Sequence, residues 1–373
     1  LIIFQRLFSH YRKSFYDGLM KDCDFLLLHG TDASGIRNES AAYSRQTRQI
    51  GIPLTGLKVY FSKYLRDRAA NVVVLDFAVQ VLNLPFWMWN FRRKKKKVLL
   101  WSHGYNRRRG FHPGRSLVDK YRRILINHSD GLLVYSQADK GYLLSKGIVR
   151  PVYVLRPTLD SRAISNVKQH YLNNGAEHDN GRQFKYNLTF IGRMNREKNP
   201  RGLLRMFDTF APEYKQQAGV HFIGDGPELV TCKRALADHP FRDHFIFHGE
   251  VYDEGAVGKI MMASDLVVIL GEVGLSVNHA LLYGIPVVTF TRDMNGPYHG
   301  PEKEHIIHGK TGFWVLKNDY LQLARVVQHY LENKDLQAEM RRFVCEYANV
   351  NLKLEDMIDT FSNVISATAI PKS

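Results

Sequence analysis

Arg193 and Lys198 stand five residues apart on a turn that follows the apolar run Tyr186 to Ile191 and precedes a helix signalled by Pro200. Such a turn can cradle a diphosphate: a guanidinium forks onto two phosphate oxygens, an ammonium supplies a point charge, and helix N-terminal amides point at the anion. Gly192 and Asn199 lie on the same turn, and a solvated basic loop would look alike. A second passage from apolar run through glycine turn to helix, His221 to Leu229, contains Gly224, which suits either close ligand approach or a plain tight turn. The third passage is the richest. Leu266 to Leu270 leads through Gly271-Glu272-Val273-Gly274-Leu275 into a helix that carries His279. Its short, small-residue loop admits a phosphate or a sugar, with Glu272 and His279 nearby. In the first half, His103 follows the run Val98 to Trp101, Arg12 lies on the first loop, and Arg107 belongs to a segment, Tyr105 to Arg109, expected to be mobile. Arg12 could reach a phosphate or an acceptor, and Arg107 a pyrophosphate, although a solvated loop fits the latter equally.

The elements that position these residues alternate along the chain. Strand candidates are 25–28, 72–75, 98–101, 131–135, 152–155, 188–191, 220–223, 245–247, 266–270, 286–290 and 312–315, and several are continuously apolar, as strands covered on both faces are. Helical stretches such as 200–213 and 320–333 lie between them. Strand and helix in alternation imply parallel sheets with right-handed crossovers, an α/β class. The alternation breaks where Asn173-Asn174-Gly175 and Asp179-Asn180-Gly181-Arg182 gather turn formers. The expected division is residues 1–160, a linker over 161–185, a second domain over 186–351, and a last helical segment, 352–373, that could pack back across either half, the first domain included. Doubly wound sheets bind ligands at the carboxyl ends of their strands, so the cleft between the halves is the expected site.

At 373 residues the chain is long enough for two cores, and its three cysteines, Cys23, Cys232 and Cys345, lack the paired spacing of a zinc site. They are expected to be reduced core residues of a cytosolic protein. The 52 Lys and Arg residues against 36 Asp and Glu give a net charge of +16, which favours an acidic partner: nucleic acid, anionic lipid or a phosphorylated small molecule. The opening Leu1 to Phe4 is too short for a signal-peptide core. Val72 to Trp89 is interrupted by Asp76, Gln80, Asn83 and Pro85 and reads as a buried strand followed by a core helix. Phe86 to Lys97, however, sets aromatic residues beside a basic run, a pattern suited to the headgroups of an anionic membrane as well as to a solvated face.

The three passages, in this order and spacing, resemble the second domain of retaining GT-B glycosyltransferases of the family 4, group 1 type, in particular bacterial capsule, exopolysaccharide and O-antigen sugar transferases. Phe4-Gln5-Arg6, Trp101-Ser102-His103-Gly104, Asp130 to Ser136, Gly300-Pro301-Glu302 and His308 to Phe313 extend the similarity over roughly residues 1 to 350. The resemblance implies two Rossmann-like domains facing a cleft, the first on the acceptor side and the second binding a nucleotide sugar. It implies transfer of a sugar from a nucleotide diphosphate sugar to a hydroxyl of a glycan or lipid-linked saccharide, with retention. No cofactor is implied beyond that co-substrate, and no metal or nucleic acid. The enzyme would work in the cytoplasm, peripherally on the inner face of the plasma membrane.

The resemblance assigns donor contacts to Gly192, Arg193, Lys198, Asn199, Gly224, Glu272, Val273, Gly274, Leu275 and His279. Arg193 and Lys198 would stabilise the leaving diphosphate, His103 would contact the transferred sugar, and Glu272 would bind sugar hydroxyls and help settle an oxocarbenium-like charge, unless it caps the helix. The family often carries two glutamates separated by seven residues; here Gly271 and His279 occupy those places, with Glu272 one residue on. That departure supports an alternative, a GT-B protein without activity. A basic nucleic-acid binder is favoured by charge alone, and a nicotinamide oxidoreductase lacks the Gly-x-Gly-x-x-Gly turn after its first strand.

Overall fold

A computed structural model describes residues 1–31, 38–66, 70–173 and 183–369. The chain forms two compact units, Leu1–Pro157 with Leu354–Ser373, and Thr158–Lys353.

In the first unit the strands are β1 (Ile2–Gln5), β2 (Leu26–His29), β3 (Ser44–Gln46), β4 (Arg48–Gly51), β5 (Lys58–Phe61), β6 (Val72–Asp76), β7 (Lys97–Trp101), β8 (Gly131–Val134) and β9 (Val152–Val154). Seven make one sheet in the order β3-β2-β1-β6-β7-β8-β9. All its pairings are parallel. β4 and β5 form a separate antiparallel hairpin. The helices are α1 (Lys13–Leu19), α2 (Leu84–Arg93), α3 (Leu117–Asn127), α4 (Gln137–Ser145) and, from the end of the chain, α13 (Leu354–Thr368). α13 lays Leu354, Met357, Ile358, Phe361, Val364 and Ile365 against Phe15, Leu19 and Trp101 of this unit. The spacing of those residues is that of one helical face, and Phe361 meets the Phe15 ring edge-on at 5.5 Å.

β1 is legible only as a short apolar opening, yet it is an interior strand of the sheet, paired with β2 on one side and β6 on the other. Four consecutive buried residues carry no period that distinguishes a strand from other apolar segments. β6 and α2 take the form expected of Val72 to Trp89, a fully buried strand and a helix with Leu84, Trp87, Met88 and Phe91 inside.

The second unit has β10 (Tyr186–Ile191), β11 (Ala218–Ile223), β12 (Phe245–Gly249), β13 (Leu266–Ile269), β14 (Val287–Phe290) and β15 (Gly312–Val315), in the order β12-β11-β10-β13-β14-β15. Every pairing is parallel. Its helices are α5 (Ser161–Asn173), α6 (Arg201–Asp208), α7 (Pro212–Lys215), α8 (Glu228–Ala235), α9 (Glu254–Met262), α10 (Leu275–Leu282), α11 (Tyr320–Glu332) and α12 (Lys334–Asn351). Apolar clusters cover both faces of the sheet, which is why β10 and β13 read as unbroken apolar runs.

Two expectations need correction. Residues 161–173, expected in the linker, are helix α5: Asp160 accepts from the Ala163 amide at 3.0 Å, and Ile164 joins the core. The turn-rich residues 174–182 lie outside the described residues. The single helix expected over 200–213 is two pieces, because Thr209 to Ala211 leave the helix and Pro212 begins a new turn.

One part-buried pair makes this unit sensitive to acid. His221 Nε2 donates to Asn187 Oδ1 at 3.0 Å, since the Asn187 amide nitrogen already donates to the Phe184 carbonyl. His221 Nδ1 is then the acceptor for His248 Nε2, also at 3.0 Å. Burial, reinforced by the His248 charge, pushes the His221 imidazole down to about 4 from 6.5. Below pH 6.5 the unfolded chain takes up a proton that the folded chain refuses. The stability held above pH 6.5 therefore declines as the pH falls toward 4, by on the order of 2 kcal/mol. Urea unfolding at pH 7 and pH 4.5 checks this: His221→Gln should lose less than the wild type, and equal losses would place the acid sensitivity elsewhere.

Candidate active site

In an open parallel sheet the strand order reverses at one point, and loops leaving the two strands there part to opposite faces, opening a crevice at their carboxyl ends. In the second unit that point is between β10 and β13. The loops leaving these strands are 192–199 and 270–274, the two that carry most of the expected donor contacts.

After β10, Asn195 Oδ1 accepts from the Lys198 amide at 3.0 Å and sets a short 3-10 turn, Arg196–Lys198. Lys198 Nζ donates to the Glu272 carbonyl at 3.0 Å, and the Glu272 amide donates to the Glu197 carbonyl at 2.7 Å. A Cβ on Gly274, the N-cap of α10, would lie 3.7 Å from Lys198 Nζ. The ammonium and the first turn of α10, beginning at Leu275, therefore converge, and both favour an anion at the same place. Arg193 is exposed at the end of β10, while its neighbour Met194 is buried.

Gly271 and Gly224 are glycines for reasons of packing. A Cβ on Gly271 would meet the Glu197 carbonyl oxygen at 2.1 Å. A side chain there, such as the glutamate common in the resembled family, would require the two loops to separate. Gly224 has φ +135, and its Cβ would fall 2.1 Å from the Gly192 carbonyl oxygen. Asn199, in the left-handed region at φ 52, directs its amide at the Leu270 carbonyl, 3.5 Å away. These residues brace the loops that present Lys198.

Glu272 precedes the N-cap by two residues, so it does not cap α10. Val273 is buried, and its amide donates to His299 Nδ1 at 3.3 Å while His299 Nε2 donates to the Phe290 carbonyl at 2.9 Å. His299 thus clamps the 270–274 loop to β14. His279 Nε2 donates to Glu254 Oε1 at 2.8 Å, and the Tyr283 hydroxyl donates to the same oxygen at 2.7 Å. Burial and that carboxylate push the Tyr283 hydroxyl far up, so it stays protonated. Glu254, at the first position of α9, supplies a carboxylate next to His279 where the sequence has no second glutamate.

In the first unit the order reverses between β1 and β6. Arg12, on the loop after β1, bonds Gln5 Oε1 at 2.9 Å and lies over the rings of Trp101 at 5.0 Å and Tyr135 at 5.9 Å. Tyr135 also meets the His103 ring at 4.7 Å, so one aromatic side chain contacts both expected residues. Arg6 and Asp76, at the same strand ends, form an ion pair at 2.9 Å. His103 Nδ1 bonds Asp139 Oδ2 at 2.8 Å, and Asp139 Oδ1 accepts the Tyr105 hydroxyl at 2.7 Å. Burial works to raise the Asp139 carboxyl, but the hydrogen bonds from His103, Tyr105 and Ser136 outweigh it and hold the group low. An ionised Asp139 keeps the proton on Nδ1 and leaves Nε2 as the acceptor. Arg107 lies in a segment expected to be mobile, but that segment is a closed turn: Asn106 Oδ1 accepts from the Arg108 and Arg109 amides, and Gly110 N donates to the Asn106 carbonyl at 2.7 Å.

Sequence reading missed Asp139, Tyr105, Tyr135, Glu254, Tyr283 and His299. Two of them carry a visible signal: Ser136-x-x-Asp139 has the form of a helix start with Ser136 as cap, and Glu254 follows the N-cap Asp253. Among the described residues no group of three or more His, Cys, Asp or Glu side chains could hold a metal ion.

The sequence model of the family described as Glycosyl transferases group 1 matches residues 179–345. No curated protein matches the chain. Among solved structures, Anabaena Alr3699/HepE in complex with UDP and glucose is 13% identical with a TM-score of 0.67, covering 98% of this chain and 99% of its own. Sucrose-phosphate synthase from Thermosynechococcus elongatus gives 14% and 0.68, covering 98% of each chain. A glycosyltransferase from Rickettsia africae ESF-5 gives 12% and 0.66, covering 99% of this chain and 98% of its own. At such identities the likeness is one of fold: two Rossmann-like parallel-sheet domains of the GT-B class.

Proposed function

We propose that the protein is a metal-independent, retaining glycosyltransferase of bacterial surface-polysaccharide synthesis. It moves a sugar from a nucleotide diphosphate sugar to a hydroxyl of a glycan or lipid-linked saccharide at the cytoplasmic face of the plasma membrane. The observation that carries the reading is the convergence of Lys198 Nζ on the N-terminus of α10, held there by the Glu272 carbonyl. The match of residues 179–345 to Glycosyl transferases group 1 and the UDP bound by HepE support the same donor class.

In the transfer, the bond from the anomeric carbon to the diphosphate oxygen breaks and one to the acceptor oxygen forms; the acceptor proton leaves with the diphosphate. Charge grows on the leaving oxygens, and a preplaced ammonium and helix N-terminus stabilise it without reorganising. Arg193, exposed on the same turn, adds a second cation. His103, with Nε2 as an acceptor, receives a hydrogen bond from a hydroxyl of the transferred sugar. Arg12 and Arg107 serve the acceptor side.

A second reading is a GT-B protein that binds nucleotide without turnover. It is favoured by Gly271, whose Cβ position is filled by the Glu197 carbonyl, and by His279, which is bonded to Glu254. Thermal unfolding with UDP, GDP, ADP or CMP, paired with a donor-hydrolysis assay, separates the two. One nucleoside diphosphate at 100 times its dissociation constant should add about 2.7 kcal/mol of stability, and the matching sugar donor should be hydrolysed. Stabilisation without hydrolysis or transfer selects the second reading, and no stabilisation by any nucleotide sinks both.

A further inference from the structure

The outer face of α2 is apolar where a surface helix is ordinarily charged. Leu84, Trp87, Met88 and Phe91 fill its core side. At helical spacing Phe86 and Trp89 fall opposite them, and they are 60% and 53% exposed with their rings 6.0 Å apart. Arg93 lies over the Trp89 ring at 4.7 Å. The β4–β5 hairpin joins this helix at its start: Leu82 N donates to the Lys58 carbonyl at 3.0 Å, and Asn83 Nδ2 donates to the Tyr60 carbonyl at 2.6 Å. Tyr60 anchors the hairpin in the core, while Ile50, Ile52, Leu54 and Phe61 are exposed, Leu54 completely. At the other end of α2 runs the basic stretch Arg92 to Lys97, and a pocket of about 580 Å³ gathers Arg92, Lys95, Lys96 and Lys97 with Asp130 as the carboxylate in its wall.

We propose that α2 and the β4–β5 hairpin form a docking surface for an anionic lipid bilayer. The exposed rings and hairpin aliphatics enter the headgroup boundary, and the exposed cations Arg92, Arg93, Lys94 and Lys95 meet lipid phosphates. Aromatic rings prefer that boundary because one part of the layer is apolar and the other wet, and a polybasic segment beside it is drawn to a negatively charged leaflet. Charge complementarity fixes the lipid class: Arg92, Arg93, Lys94 and Lys95 are all exposed, with no carboxylate among them, and select an acidic headgroup. Single-stranded nucleic acid is the less suitable occupant, because the exposed Ile50, Ile52 and Leu54 of the hairpin are aliphatic and offer bases no stacking face. The surface belongs to α2 and the hairpin alone and does not depend on the transfer reaction. Among the described residues no helix is long and apolar enough to cross a membrane.

The test is co-sedimentation of the full chain with vesicles of phosphatidylcholine alone or mixed with phosphatidylglycerol, with tryptophan emission read in parallel. Trp87 and Trp101 are buried and Trp314 is part-buried, donating to the Ile306 carbonyl, so a change on vesicle addition reports chiefly on Trp89. The expected result is binding to the acidic vesicles only, with a blue shift. Phe86→Ser with Trp89→Ser should weaken binding about tenfold or more, and Leu54→Ser should weaken it separately. These side chains are at least half exposed, so the fold tolerates their loss. Lys94→Gln with Lys95→Gln should weaken binding while Trp89 is still present to report insertion. Equal binding to both vesicle types overturns the proposal. So does binding unaffected by the aromatic and Leu54 variants, or single-stranded DNA binding that is lost with the same aromatic residues.

Discussion

Lys198→Ala is expected to reduce the turnover of donor transfer by roughly 10²- to 10³-fold, the loss found when one preplaced charge-stabilising donor is removed from an active site. The place of this ammonium is set by the Glu272 carbonyl at 3.0 Å and the N-terminus of α10 beside it. The loss should fall mainly on kcat, since the charge on the diphosphate grows as the sugar departs. Arg193→Ala should cost less, because the exposed Arg193 acts across water while part-buried Lys198 is fixed. Lys198 also ties two loops, so thermal unfolding must be measured alongside the kinetics. A variant that melts earlier but turns over normally would make Lys198 a brace only.

Asp139→Asn is expected to lower kcat by about 10²-fold or more through the tautomer of His103. Asp139 is an acceptor for two donors, His103 Nδ1 and the Tyr105 hydroxyl. Asparagine offers one acceptor oxygen and one NH2 group, so one of those donors must give way. When His103 gives way, its proton moves to Nε2, and the atom that should accept a sugar hydroxyl becomes a donor. Asp139 is thus a positioning residue, and its isosteric replacement should leave the melting temperature close to wild type. The distinguishing readouts are the pH profile, which should change shape, and Asp139→Glu, which should restore part of the rate. Loss of binding alone, with kcat intact, would mean that Asp139 shapes the pocket without governing the histidine.

The expected strand runs from 25–28 to 312–315 all fall on strands of the two sheets, because a strand covered on both faces announces itself as a local apolar run. β3, β4 and β5 were not legible: Ser44–Gln46 and Arg48–Gly51 are largely polar or exposed, and their pairing depends on neighbours elsewhere in the chain. Residues 161–173 misled in the opposite sense. The turn formers that begin at Asn173 obscured a helix whose buried Ile164 packs on the second unit's core.

The residue types on the candidate loops are legible for the same local reason, since Arg193, Lys198 and Glu272 in one unit and His103 in the other follow apolar runs, where strand ends place side chains at the rim of a sheet. Their partners were not. Lys198 and the Glu272 carbonyl are 74 residues apart, His103 and Asp139 36, and His279 and Glu254 25. These contacts follow from β10 lying next to β13, and from α4 and α9 beginning beside the loops they support. Periodicity and spacing act over a few residues and so determined the elements, the turns and the chemistry each turn can offer. The order of strands in a sheet is settled by which faces bury one another across the whole domain. Only that packing decided that Gly271 leaves no room for a glutamate, that a carboxylate from α9 stands against His279, and that the proton on His103 belongs to Nδ1.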